Sequence, residues 1–162
     1  MISDADLGYL RRCVELARGA VQAGNAPFGS VLVDAAGKIL KEDQNRVTTE
    51  ADVTLHPEFT LAVWAQKNMS PADRATATVY TSGEHCPMCS STHAYAGLGR
   101  IVFATSAGQY AQWMSELGGE RSPVAMHTVS QIAPGIPVDG PAPELAEEVL
   151  ELHRLRVAQK KA

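Results

Sequence analysis

Two short stretches of this chain carry side chains whose types and spacing can do chemistry: "LHPEF" at 55–59 and "GEHCPMC" at 83–89. In the second, Cys86 and Cys89 stand three positions apart, a spacing that lets two thiolates share one metal ion. They lie where a strand-like run gives way to a helix-like one. The positive end of that helix dipole would lower thiol pKa and favour metal ligation. In the first stretch, His56 sits at another loop-to-helix junction and can supply a third ligand. Three ligands of His and Cys type suit tetrahedral zinc with the fourth position left for water. Glu58, two residues after His56, is poorly placed to share the metal but well placed to move protons at that water. The same residues admit two other arrangements. One is a redox dithiol at Cys86 and Cys89. The other is a closed zinc site with His85, His93 or Cys13 as fourth ligand, which leaves Glu58 without a role.

These side chains need elements to position them. Ser3 as N-cap, then Leu7, Leu10, Val14, Ala17 and Val21, predict an amphipathic helix ending near Gly24. Cys13 within it reads as a small buried hydrophobe. "PFGSVLVD" and "KILKEDQN" read as two strands joined by a turn at "AAGK". After a polar loop, "RVTTEADVTL", a helix runs from His56 to about Asn68, with Pro57 suited to its first turn. "ATVYTS" is a strand, Cys86 to about Leu98 a helix, and "RIVFAT" a strand. "GQYAQWMSEL" is a short helix, "PVAMHTV" a last strand, and "IAPGIPVDGPAP" a loop. Leu145, Val149 and Leu152 mark one face of a terminal helix at about 143–160. Strands alternating with helices after an opening hairpin predict an α/β fold. It is a three-layer α/β/α sandwich around a central mixed sheet of about five strands. One domain over 1–162, with its core at about 5–130, fits the length.

Composition narrows the partners. Hydrophobic content of 45% and charged content of 20% are ordinary for a soluble globular protein. No apolar run approaches the ~18 residues of a membrane span. The start, "MISDADLGYLRR", does not resemble a signal peptide, so a cytoplasmic location is expected. A net charge of −4 argues against broad electrostatic capture of nucleic acid. The basic "HRLRVAQKKA" reads as cations complementing a helix C-terminus.

His-x-Glu followed by Cys-x-x-Cys is similar to the zinc-dependent deaminases of the cytidine deaminase superfamily. "APFGSVLVD", "QNRV", "DVTLHPE", "VYTSGEHCPMC" and "GRIVFA" resemble, in order and spacing, its branch acting on free bases and transfer-RNA adenosine. That branch holds the bacterial guanine deaminases and fungal cytosine deaminases, and the likeness covers about residues 5 to 105. It implies that His56, Cys86 and Cys89 hold Zn2+. It also implies that Glu58 takes the water proton, protonates a ring nitrogen and serves the leaving ammonia. Asn45 matches a position that hydrogen-bonds the base, and Phe28 an aromatic that packs near it. The resemblance further implies a small-molecule substrate and a homodimer.

Two departures bear on the substrate. Pro57 stands where relatives usually carry Ala or Gly, whose N–H often bonds a substrate carbonyl, and proline has no N–H. His85 stands where relatives usually carry Pro; it either faces the pocket as a specificity residue or begins the helix. The acidic cluster that bacterial guanine deaminases carry after the fourth strand is not visible in "SAGQYAQWMSELGG". Tyr110 and Trp113, one helical step apart there, read as apolar packing or as a cover for a planar base. His93, His127 and His153 show no ligand spacing and read as surface or core residues. The expected activity is zinc-dependent hydrolytic deamination of a small aminated heterocycle, first a free purine-type base such as guanine. Cytosine or another aminopyrimidine or triazine comes second. Editing of transfer-RNA adenosine and a non-catalytic zinc-stabilised binding protein follow.

Overall fold

Ser3 and Asp6 start the first helix as the sequence predicts. In the computed structural model, which describes residues 1–162, the Ser3 hydroxyl accepts from the Asp6 N–H. The Asp6 carboxylate in turn accepts from the Ser3 N–H, a reciprocal capping box. Helix α1 (Asp4–Gln22) crosses strand β1 (Gly29–Val33) so closely that a Cβ on Gly29 would lie 2.4 Å from the Cys13 carbonyl oxygen. Only glycine admits that approach.

Strand β1 returns into β2 (Ile39–Gln44), and the polar stretch after it holds one short helix, α2 (Val47–Glu50). Helix α3 (Pro57–Asn68) is followed by α4 (Pro71–Thr76), which Ser70 caps and which the sequence reading did not anticipate. Then come β3 (Thr78–Gly83), α5 (Pro87–Tyr95), β4 (Arg100–Thr105), α6 (Ala107–Leu117) and α7 (Val129–Ile132). The chain ends with β5 (Val138–Asp139), a 3-10 turn (Pro143–Leu145) and α8 (Ala146–Lys161).

The sheet runs β2-β1-β3-β4-β5, antiparallel on both sides of β1 and parallel from β3 onward. The expected mixed five-stranded sheet is therefore present, with one strand moved. "PVAMHTV" forms no strand: Val124 is exposed, and Thr128 caps α7 instead. The fifth strand comes from the Pro/Gly-rich segment expected to be a loop. It is a two-residue edge strand entered from Pro137, whose carbonyl accepts from the Ile101 N–H, and proline is tolerated at such an edge.

Strand alternation divides the core into two layers. Val31, Val33, Tyr80, Val102 and Ala104 face α1, α6 and α8, with Leu10, Trp113, Val149 and Leu152. Leu32 and Val79 face the opposite way, against Leu61, Ala62 and Ala65 of α3. Ile101 and Phe103 pack on Val129 of α7. No helix is long and apolar enough to cross a membrane.

Asp6 also ties the layers to the sheet. Its carboxylate accepts from the Tyr80 hydroxyl at 2.7 Å and pairs with Arg100 at 2.9 Å. Burial pushes this carboxyl up, but Arg100, Ser3 and Tyr80 outweigh it and hold it well below the usual carboxylate range. A folded-state value below the unfolded one gives stability that is full above about pH 4 and fades as pH falls further. Asp6→Asn is expected to lose about 2–3 kcal/mol near neutral pH, read by urea denaturation. The gap to the parental protein should narrow below about pH 4; a gap constant through acid would contradict this account.

Candidate functional site

The residues before Pro57 and Pro87 are both metal-ligating types, and the structure shows why. A residue preceding proline is restricted to extended backbone, which is also the geometry of a helix N-cap. His56 (φ −77, ψ 134) and Cys86 (φ −67, ψ 169) are the N-cap residues of α3 and α5, each with proline at the first helical position. Two local rules thus select the same backbone for both side chains. Helices α3 and α5 pack side by side, so their first turns converge. Cys89 follows within the first turn of α5, and Glu58 is the second residue of α3.

The ligand atoms of His56, Cys86 and Cys89 lie within 4.8 Å of one another. Cys86 Sγ is 3.7 Å from His56 Nδ1. Zinc–sulfur and zinc–nitrogen bonds of ordinary length at a tetrahedral angle give an edge of about 3.6 Å, so the donor set and its spacing fit zinc. Neither alternative fourth ligand joins the group. Cys13 is buried in the apolar core under α1, and His85 and His93 lie outside the cluster.

Glu58 is 4% exposed. Its Oε2 lies 3.8 Å from Cys89 Sγ, and its Oε1 is 3.1 Å from the Thr81 hydroxyl. Burial raises the carboxyl to about 7; His56 opposes the shift and the Cys86 thiolate adds to it. Cys86 is brought down to about 4, first by a hydrogen bond from Cys89, against burial, with His56 adding. Thr81 accepts from the Ser30 hydroxyl at 2.9 Å and has a second acceptor, the Gly83 carbonyl, at 3.0 Å. Its single proton can go to an ionised Glu58, or to Gly83 while a protonated Glu58 donates to Thr81. Both protonation states of the carboxyl are hydrogen-bonded.

A cavity of about 260 Å³ opens onto this group, lined by Phe28, His56, Glu58, Cys86, Tyr110 and His153 among others. An outer lobe of about 280 Å³ shares Phe28, His56, Tyr110 and His153, and adds Asn45. A Cβ on Gly83 would come 2.9 Å from Phe28 Cε1, so glycine there leaves room for the ring. Glu84 braces the far side. Its carboxylate accepts from the Ala107 N–H at 2.9 Å and the Val129 N–H at 3.0 Å, joining the starts of α6 and α7.

The expected site residues are thus placed as follows. His56, Cys86, Cys89 and Glu58 come together, and Phe28 lines the cavity. Asn45 lines the outer lobe, and its Oδ1 accepts from the Val47 N–H in a local turn. Pro57 is buried in the first turn of α3 and lines neither lobe. His85 requires correction. It is neither a pocket residue nor part of the helix, but precedes the N-cap Cys86 and is fully buried edge-on against His93, ring centres 5.3 Å apart. Burial holds it neutral. Sequence reasoning missed Glu84 and His153. Glu84 gave no signal, because its partners are backbone groups 23 and 45 positions away. His153 follows Leu152 on the buried stripe of α8, which was a usable signal.

Residues 3–105 match the cytidine and deoxycytidylate deaminase zinc-binding region, and the chain belongs to that family of zinc-dependent hydrolytic deaminases. It is 28% identical over 154 residues to a probable cytosine deaminase of Schizosaccharomyces pombe, covering 94% of this chain and 93% of the relative. It is 44% identical over 82 residues to the guanine deaminase of Bacillus subtilis, covering 50% of this chain and 52% of that relative. The solved guanine deaminase of Nitrosomonas europaea shares the fold at a TM-score of 0.75 and 20% identity, over 98% of this chain and 86% of that one.

Glu84→Gln leaves one backbone N–H facing an amide NH2. It is expected to lower stability by about 1–3 kcal/mol while zinc content stays at the parental level. An unchanged urea midpoint would overturn the bracing role.

Proposed function

We propose that this chain deaminates a free nucleobase, a purine-type base such as guanine first, using zinc held by His56, Cys86 and Cys89. The observation that carries this reading is Glu58. It is a buried carboxyl that lines the cavity, touches the ligand cluster and has a hydrogen-bond partner for each protonation state. Bound there, zinc supplies Lewis-acid activation of water near neutral pH. Glu58 accepts a proton from the water that adds to the ring carbon bearing the amine. It delivers that proton to a ring nitrogen, then takes the proton of the added hydroxyl and passes it to the amino group, which leaves as ammonia when the C–N bond breaks. Thr81 keeps Glu58 aimed throughout. Phe28 and Tyr110 offer apolar surface to a planar ring, and the free amide nitrogen of Asn45 offers it a donor.

An aminopyrimidine such as cytosine is the second reading, supported by the nearly full-length relation to the fission-yeast protein. A transfer-RNA substrate is disfavoured by the net charge of −4 and by the pairing of basic groups on α8. Lys160 is engaged by Glu120, and Arg154 by Glu147 and Glu151. A homodimer belongs to the same reading. The exposed Val53 and Tyr95, and the half-exposed Phe59, Val63 and Trp64, support it. A cytoplasmic setting would keep Cys86 and Cys89 reduced.

Glu58→Gln is expected to retain zinc at the parental stoichiometry and to lose turnover by about 10²–10⁴-fold or more, read as ammonia released. Turnover at the parental rate would refute the role given to Glu58. Thr81→Val should keep zinc and lower turnover less, by roughly tenfold. Parental turnover in this variant would remove Thr81 from the account.

A further inference from the structure

We propose that His153 is a specificity-determining residue whose imidazole hydrogen-bonds the edge of the bound heterocycle turned away from Glu58. This rests on the reading of the chain as a base deaminase and deepens it. The ligand cluster and Glu58 belong to α3 and α5 on one face of the sheet, and His153 belongs to α8 on the other. Both line the same cavity. A planar ring that offers its reacting carbon to the first layer turns its opposite edge toward the second.

His153 is 3% exposed. Phe28, Tyr110 and Trp113 surround its ring at centre-to-centre distances of 5.5, 5.3 and 5.9 Å. None of these rings accepts a hydrogen bond from it in the plane of the imidazole. Neither His153 nitrogen bonds to the protein, and neither is sealed off as those of His85 are. Their open direction is the cavity, which both lobes share at this residue. Water in the cavity can serve these nitrogens, so a ligand that displaces it keeps its affinity only by offering a hydrogen-bond partner in its place.

Helix α8 is held from both sides of the cleft. Lys160 pairs with Glu120 at 2.6 Å, and Arg156 donates to the Thr48 hydroxyl at 3.0 Å. Val149 and Leu152, buried in the core, seat the helix that presents the imidazole.

The chemistry of the contact follows from burial, which brings His153 down to about 4 and leaves it neutral under working conditions. A neutral imidazole has one N–H and one lone pair, and no protein group fixes which nitrogen carries the proton. It can donate to a ring carbonyl or accept from a ring N–H or amino group. The ligand class is an uncharged heterocycle with a polar edge opposite the amine that leaves. A site with a buried group awaiting that edge discriminates against analogues lacking it.

The test is steady-state kinetics of the zinc-loaded parental protein, His153→Leu and His153→Gln. The panel is guanine, 2,6-diaminopurine, adenine, cytosine and isocytosine, with calorimetric binding of the same bases. Leucine fills the aromatic nest without a hydrogen bond. His153→Leu should keep zinc and its melting temperature. KM for the best base should rise roughly tenfold, with kcat much less changed and the ranking of bases flattened. His153→Gln should restore part of the ranking. KM and ranking at parental values in His153→Leu would overturn the inference; should that variant not fold, the same result in His153→Gln would do so. A parental protein that binds bases but releases no ammonia defeats the deaminase reading alone, and binding lost in His153→Leu then still supports the contact. A parental protein that neither binds nor turns over any base overturns both.

Discussion

The meeting of two helix N-termini is the constraint on which the rest of this structure depends. The starts of α3 and α5 carry His56, Glu58, Cys86 and Cys89, and their dipoles favour the negative forms of Cys86 and Glu58. For those turns to meet, α3 and α5 must lie side by side on one face of the sheet. The order β2-β1-β3-β4 sets them there, because β1 and β3 are neighbours. Proline at the first position of each helix fixes the ligand before it in cap geometry. Buried in the first turn of α3, Pro57 stiffens the backbone that carries His56 and Glu58 at little expense to the helix.

Opposite this rigid half stands a pocket wall made from chain distant in sequence. Phe28 rests over Gly83, Tyr110 and His153 gather beside it, and Trp113 backs His153 from the core. Glu84 links the two halves, since it stands two residues before Cys86 and grips the starts of α6 and α7.

The legible and illegible parts of the sequence follow from contact range. Ser3, the hairpin, the His-x-Glu and Cys-x-x-Cys pairs and the terminal helix announce themselves through local spacing, and the structure has each of them. The 123–129 segment misled because its apolar residues read as a strand while Val124 is exposed and Thr128 starts a helix. The edge strand at Val138–Asp139 hid in a Pro- and Gly-rich run because two residues carry no periodicity. His85 was misplaced because adjacency to a ligand says nothing about which side of the backbone a ring occupies. Spacing on α8 could show that His153 is buried but not that it meets the cavity, because the rings around it at Phe28 and Tyr110 are 125 and 43 positions away.

The central claim is an open zinc site of one histidine and two cysteines, and X-ray absorption at the zinc edge of the purified protein tests it most directly. The account predicts one zinc per chain, with two sulfur neighbours at about 2.3 Å and two lighter ones at about 2.0–2.1 Å. A third sulfur, or a protein that holds no zinc with Cys86 and Cys89 intact, would contradict it.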